Sequence, residues 1–378
     1  MSSEWDVWLA RWTQAGLMDA PTAERIRAFE ATQDETQSSR LRWPIVIALG
    51  FGALMVGGGV LLFVAANWDA LSPGSRFALV LLLVSMFHVA GAIAADPFPA
   101  MSQALHGIGT AALGAGIALS GQIFNLDEHW PAGIMLWAAG SVAAWAILRQ
   151  TTQFALMALL GPAWLISEWI AASETLHTGS AAFEVASAGA LLLALTYFTS
   201  VGPAHESRPR RTLMWVGGIA LPMAAIVLAF AAADPYQGQW PGDMSRTWVV
   251  GWLVAFAVPV ALAVVLRGSE AWPQPVAAAW VAGLVFVPGL GRGVIAFGWW
   301  AMAALGLIAW GVRDGRAERI NLGAAAFAVT VLAFYFSRVM DKLGRSAFLL
   351  LLGLLFLGGG WALERMRRQL VARSREAR

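Results

Sequence analysis

The sequence predicts an all-α polytopic membrane protein: a bundle of about twelve transmembrane helices preceded by a short N-terminal amphipathic helical hairpin. Three observations carry this. The composition is 58% hydrophobic and only 13% charged, with a mean hydropathy of +0.64, whereas soluble domains run at ~45–50% apolar and ~25% charged. Apolar runs long enough to cross the hydrocarbon core, about 20 residues each, recur from residue 44 to residue 364. Tryptophan is abundant, with 20 copies against 3 tyrosines, and many copies fall where spans should end. Trp prefers the headgroup level, where the ring is buried and the N–H stays wet.

Residues 1–43 form a first, cytoplasmic unit. Trp5, Trp8, Leu9 and Trp12 recur on one helical face, and Gly16 follows as a stop. A second short helix starts after Asp19, with Pro21 in its first turn and Ile26 and Phe29 on its apolar side. Seven acidic and five basic residues give this segment a net charge of −2. Surfaces that bind anionic lipid are rich in Lys and Arg, so the hairpin is a candidate surface for docking a protein partner or the inner ends of its own spans. The first apolar run begins near Pro44, too late for a cleaved leader, and is expected to remain as an anchor.

The membrane unit covers residues 44–364. Spans are predicted near 44–66, 76–95, 102–124, 131–148, 153–171, 180–200, 211–232, 247–266, 274–290, 293–312, 319–337 and 346–364. The ninth and tenth are separated only by Leu290-Gly291-Arg292, which makes them a tight hairpin or one broken element. Trp43, Trp68, Trp130, Trp169, Trp240 and Trp248 sit near span ends, and Trp299, Trp300 and Trp310 inside spans. A basic tail, residues 365–378, closes the chain.

Loop charge sets the orientation. With the N-terminus inside, 19 Lys/Arg fall on the inner side and 6 on the outer, as the positive-inside rule requires. Both termini are therefore expected in the cytoplasm, across a bacterial inner (plasma) membrane. The exception is the last outer loop, which holds Arg338, Lys342 and Arg345.

Candidate functional residues are few. Glu168 and Glu184 are acidic residues within predicted spans, near the outer ends of the fifth and sixth. Carboxylates in hydrocarbon are costly and face protein or water. With Asp127, Glu128, His129, Glu174 and His177 they make an acidic outer rim, a cation or proton vestibule. Snorkelling to the interface, or pairing with Arg292, Arg338, Lys342 or Arg345 on the same side, is the plainer account of them. His88 and His106 lie on the second and third spans at levels a few ångströms apart by helical rise of ~1.5 Å per residue. They are a candidate proton relay or packing residues. Gln122 and Asn125 either line a polar opening or cap a helix.

Glycine patterning is the remaining signal. Gly52, Gly57, Gly58 and Gly59 in the first span share their spacing with Gly353, Gly358, Gly359 and Gly360 in the last. Gly107, Gly114 and Gly121 recur at sevenfold spacing in the third. Small residues let helix backbones approach closely, in a moving interface or in static packing.

Several classes are excluded or unsupported. The absence of cysteine removes disulfides and thiolate chemistry. A net charge of +2 spread along the chain gives no nucleic-acid surface. No phosphate loop, His-Glu-x-x-His or Gly-x-Ser-x-Gly elbow occurs, so no enzyme, cofactor or metal site is expected, and no ligand spacing supports one at His129 and His177. The expected function is small-solute or ion transport. The alternative is a non-transporting scaffold or sensor acting through the N-terminal hairpin.

Four features together resemble a bacterial predicted-membrane-protein family, domain of unknown function twenty-one fifty-seven. They are Trp12-x-x-x-Gly16-Leu17, Ala66-Asn67-Trp68-Asp69, Gly121-Gln122-Ile123-Phe124, and Phe336-Ser337-Arg338-x-x-Asp341 followed by Glu364-Arg365-x-Arg367-Arg368. The Phe-Ser-Arg order departs from the Arg-Tyr order of the family. The resemblance implies a multi-pass topology and carries no activity or substrate.

Overall fold

The computed structural model describes residues 9, 11–26, 51–52, 55, 59, 72–123, 129–174, 179–202, 207–233, 246–287, 289–339, 353–354 and 357–358. Among them the regular elements are helical: α1 (Pro73–Ile93), α2 (Pro99–Ile123), α3 (Pro131–Leu148), α4 (Thr151–Glu174), α5 (Gly179–Phe198), α6 (Arg208–Ala233), α7 (Arg246–Arg267), α8 (Pro273–Phe286), α9 (Gly293–Asp314) and α10 (Ala317–Phe334). All except α8 are long and apolar enough to cross a membrane. The chain is thus a membrane protein with nine candidate spans among the described residues. The predicted first and last spans, 44–66 and 346–364, fall largely outside them. The residues described there (51, 52, 55, 59, 353, 354, 357 and 358) are helical.

Local chemistry sets the helix ends. Ser72 caps α1, its hydroxyl accepting from the Ser75 N–H at 3.2 Å, and Pro73 occupies the first turn, where a missing N–H costs nothing. Pro131 opens α3 and Pro273 opens α8 in the same way. α9 stops at Gly315, whose φ of 66° suits glycine, and the Arg316 N–H closes back on the Gly311 carbonyl at 2.8 Å. Predicted span 131–148 has the same limits as α3.

The ninth predicted span, 274–290, is shorter than expected. α8 has 14 residues, about 21 Å of rise, against a hydrocarbon core of ~30 Å. It ends where Val287 turns extended, and a turn over 289–292 leads into α9. Gly291 fits there because a Cβ would lie 2.4 Å from the Ala232 carbonyl oxygen at the end of α6.

Sequence neighbours pack as antiparallel hairpins: α1 with α2, α3 with α4, α5 with α6, and α9 with α10. α5 is the central element, touching α4, α6, α7 and α8. Within its membrane-length window 61% of residues are buried, against 6–28% for the other spans. Its Val185, Ala188 and Leu192 join Leu228 of α6, Trp248 of α7, and Val281 and Leu284 of α8 in the core. Gly217 brings α6 against α5: a Cβ there would sit 2.3 Å from the Phe198 nitrogen and 2.5 Å from the Ala194 oxygen. The outward faces remain apolar, with Ile147, Ile219, Phe230 and Val265 exposed, as contact with lipid tails requires.

Aromatic pairs lock the remaining contacts. Trp280 on α8 and Trp299 on α9 exchange hydrogen bonds, each indole N–H donating to the other's carbonyl oxygen at 3.1 and 3.3 Å. Their rings stack at 6.2 Å. The Trp169 indole donates to the Ala182 carbonyl at 2.8 Å, tying α4 to α5.

Candidate functional site: a histidine pair and a polar seam

α1 and α2 carry the same short pattern, histidine followed three residues later by glycine: His88-Val-Ala-Gly91 and His106-Gly-Ile-Gly109. Because the helices are antiparallel, each imidazole lies over the other helix's glycine. A Cβ on Gly91 would fall 2.9 Å from His106 Nε2, and a Cβ on Gly109 would fall 2.9 Å from His88 Nε2. The two glycines therefore make the room in which the rings meet. Their Nδ1 atoms are 2.9 Å apart and their centroids 5.2 Å apart. His106 is buried and His88 half-buried.

A seam of polar side chains adjoins this pair between α2 and α4. The Thr110 hydroxyl, one turn beyond His106, lies 2.9 Å from Gln153 Oε1 and 3.1 Å from the His106 carbonyl oxygen, and its one proton serves either acceptor. Gln150 Nε2 donates to the Ser102 hydroxyl at 3.3 Å, and Thr151 donates to Gln103 Oε1 at 2.6 Å. Ser102, His106 and Thr110 are spaced by four residues, so they share one stripe of α2. Gln153 is fully buried, yet its Nε2 has no hydrogen-bond partner among the described residues, and neither has Gln150 Oε1. Unsatisfied buried amides are uncommon. Here a donor on the first turn of α4 and an acceptor on the residue just before that helix stand three positions apart.

Two of the predicted packing glycines serve this region. Gly114 accommodates the Trp137 ring, which would come within 2.2 Å of a Cβ, and the Trp137 indole then donates to the Thr110 carbonyl at 2.7 Å. Gly107 faces the Thr152 methyl, 2.8 Å from a would-be Cβ. A Cβ on Gly121 or Gly358 would meet no described residue within 4 Å. Gly57, Gly58 and Gly359 lie outside the described residues.

The acidic candidates lie elsewhere. Glu168 Oε2 is 2.6 Å from His129 Nε2, and the Trp164 indole donates to Glu168 Oε1 at 2.8 Å. His129 is exposed and Glu168 about one-third so. Glu184 is buried on α5 at 2% exposure. Fifteen residues separate Gln153 from Glu168 on α4, about 22 Å of rise, so the histidine pair and Glu168 belong to different levels of the bundle. The Gln122 side chain, and those of Asp127, Glu128, Glu174 and His177, lie outside the described residues.

A third cluster, a buried charged knot, is not apparent from the sequence pattern. Asp314, ending α9, pairs with Arg267 at 2.6 Å and with Arg319 of α10. The Trp310 indole also donates to Asp314, at 3.1 Å, and its ring faces both guanidinium groups. Arg319 donates to the carbonyl oxygens of Thr199 and Val201 at the end of α5, Arg267 to that of Thr199, and Arg316 to that of Gly202. These arginines had registered only as loop charge. The sequence signal was Arg313-Asp314-Gly315-Arg316, an acid set among bases at a helix stop.

No curated protein and no solved structure matches the chain. The family model described as Predicted membrane protein (DUF2157) matches residues 10–154, a stretch that holds three of the four resembling features together with His88, His106 and Gln153, and over that stretch the family resemblance holds.

Proposed function

We propose that this chain is a small-solute or ion transporter, not an enzyme, of a bacterial inner membrane, with both termini in the cytoplasm. The observation that carries the proposal is the polar seam from Ser102 to Gln153, between two helices long enough to span a bilayer, with two buried amide atoms that have no partner among the described residues. Polar groups at membrane depth are costly, and they mark substrate and ion paths. The bundle has features that suit movement. Pro162, Pro222 and Pro259 interrupt α4, α6 and α7, each removing a helical hydrogen bond. α8 stops short of a full span, and irregular backbone at membrane depth is tolerated where it is buried or lines a cavity. Orientation rests on the 19-to-6 distribution of Lys and Arg.

The test is flux. The full chain, reconstituted in liposomes, is screened with a panel of monovalent and divalent ions, amino acids and polyols. At least one should move faster than in empty liposomes, and Gln153→Leu should lower that rate at least tenfold. A panel that shows no protein-dependent movement rejects transport. A protein-docking role for residues 1–43 is the second proposal, favoured by Leu17 at the hairpin tip, which is 76% exposed. It fails if removing residues 1–40 leaves both phenotype and co-purifying proteins unchanged.

A further inference from the structure

We propose that His88 and His106 together form a binding site for one exchangeable proton, and that the proton is the coupling ion of the transporter. The coupling role rests on the transport proposal above, whereas the site rests on the imidazole geometry alone.

An Nδ1–Nδ1 separation of 2.9 Å requires one N–H and one bare nitrogen facing each other. In the neutral pair one ring therefore donates through Nδ1–H and keeps a bare Nε2. The other accepts at Nδ1 and carries its proton on Nε2. An added proton forms an N–H bond at the bare Nε2 and breaks no other bond, and neither ring has to move. The hydrogen bond between the rings then becomes charge-assisted, and so stronger. A second added proton would set N–H against N–H and place two positive charges in contact, so the site saturates at one. Release completes a relay. The bridging proton crosses from one Nδ1 to the other, and the second ring gives up its Nε2 proton. One proton has entered at one Nε2 and left at the other, and the tautomers have exchanged.

The surroundings suit a proton that comes and goes. Each Nε2 lies over a glycine of the facing helix at the same 2.9 Å from a would-be Cβ, so the two rings share the same glycine contact although His106 is the more buried. α2 and α3 contain no Asp, Glu, Lys or Arg. On α1 the charged residue is Arg76, twelve residues from His88, and Asp96 lies exposed in the α1–α2 link. Arg149 is in the α3–α4 link, and on α4 Glu168 is engaged with His129. Among the described residues none of these groups makes a hydrogen bond or ion pair with either imidazole. The His106 carbonyl and Thr110 connect the pair to the seam, where Gln153 Nε2 and Gln150 Oε1 are a donor and an acceptor with no partner among the described residues.

The experiment is nitrogen-15 NMR of the full chain, labelled at its histidine imidazoles, in lipid nanodiscs titrated from about pH 8 to 4. Two Nδ1 signals should couple across an N–H···N bond, and one proton per pair should be taken up at Nε2. Both features should vanish in His88→Gln and His106→Gln. Independent uptake of a full proton by each ring, or no uptake across the range, overturns the site. If the Gln variants do not fold, Gly109→Ala keeps both histidines and should separate the rings, abolishing the coupling; a retained coupling there counts against the glycine-built geometry. Flux measured beside it separates the two proposals. One-proton uptake without flux of any panel member rejects transport and leaves the site standing. Flux that ignores an imposed pH gradient and persists in His106→Gln rejects the coupling.

Discussion

Arg267 Nη2 lies 2.6 Å from Asp314 Oδ2, with both side chains 2% exposed, and this contact joins the end of α7 to the end of α9. Arg319 binds the same carboxylate from α10 and reaches two carbonyl oxygens at the end of α5. One carboxylate thus holds two guanidinium groups, and the carbonyl ends of α5 supply the remaining negative potential. Asp314→Ala would leave two buried cations with only carbonyl and ring contacts. Breaking a buried pair costs about 3–5 kcal/mol, so the purified variant should melt well below the parent in detergent. An unchanged melting temperature would show that the knot contributes little.

Glycine positions separate by what a methyl group would strike. Gly217→Ala drives a Cβ into the Phe198 nitrogen and Ala194 oxygen, which are backbone atoms that cannot step aside. Overpacking of this kind costs about 1–3 kcal/mol, and the α5–α6 hairpin should loosen. Gly121→Ala meets no described residue within 4 Å and should leave thermal stability unchanged. A paired melt of the two variants reads the contrast directly.

The Trp280–Trp299 exchange predicts a smaller loss. Trp299→Phe keeps an aromatic ring in the stack but removes the donor to the Trp280 carbonyl. A single neutral hydrogen bond contributes about 0.5–1.5 kcal/mol, so the melting temperature should fall by a few degrees. Trp299→Ala, which also removes the ring, should cost several times more.

The His129–Glu168 pair should be dispensable for folding. Both side chains are partly exposed at the surface of the bundle, and exposed polar contacts of this kind contribute little. His129→Ala should therefore melt with the parent at any salt concentration. A large loss would mean that this pair is shielded in the bilayer.

Much of the bundle could be read along the chain. The spans were legible because crossing hydrocarbon imposes a local demand, about 20 apolar residues closed by turn or capping residues. Pro131, Ser72 and Gly315 supply such ends, and the predicted limits of α3 agree with the structure. α8 was misjudged because Val287 continues an apolar run after its helix has stopped. Composition measures polarity and cannot see where hydrogen bonding ends.

The partnerships were decided only by the tertiary structure. Thr110 meets Gln153 across 43 positions, and Arg267 meets Asp314 across 47. In water, apolar and polar faces tell a helix which side to bury. In a bilayer the lipid is as apolar as the core, so periodicity cannot say which face turns inward. The sequence alone determined that this chain spans a membrane many times, roughly where each span lies, and that two histidines stand at similar depth. That the histidines touch, that Gly91 and Gly109 make the room, and that a glutamine seam runs beside them follow from how α1, α2 and α4 pack. Close packing of small and polar residues, not burial of apolar ones, selects those contacts.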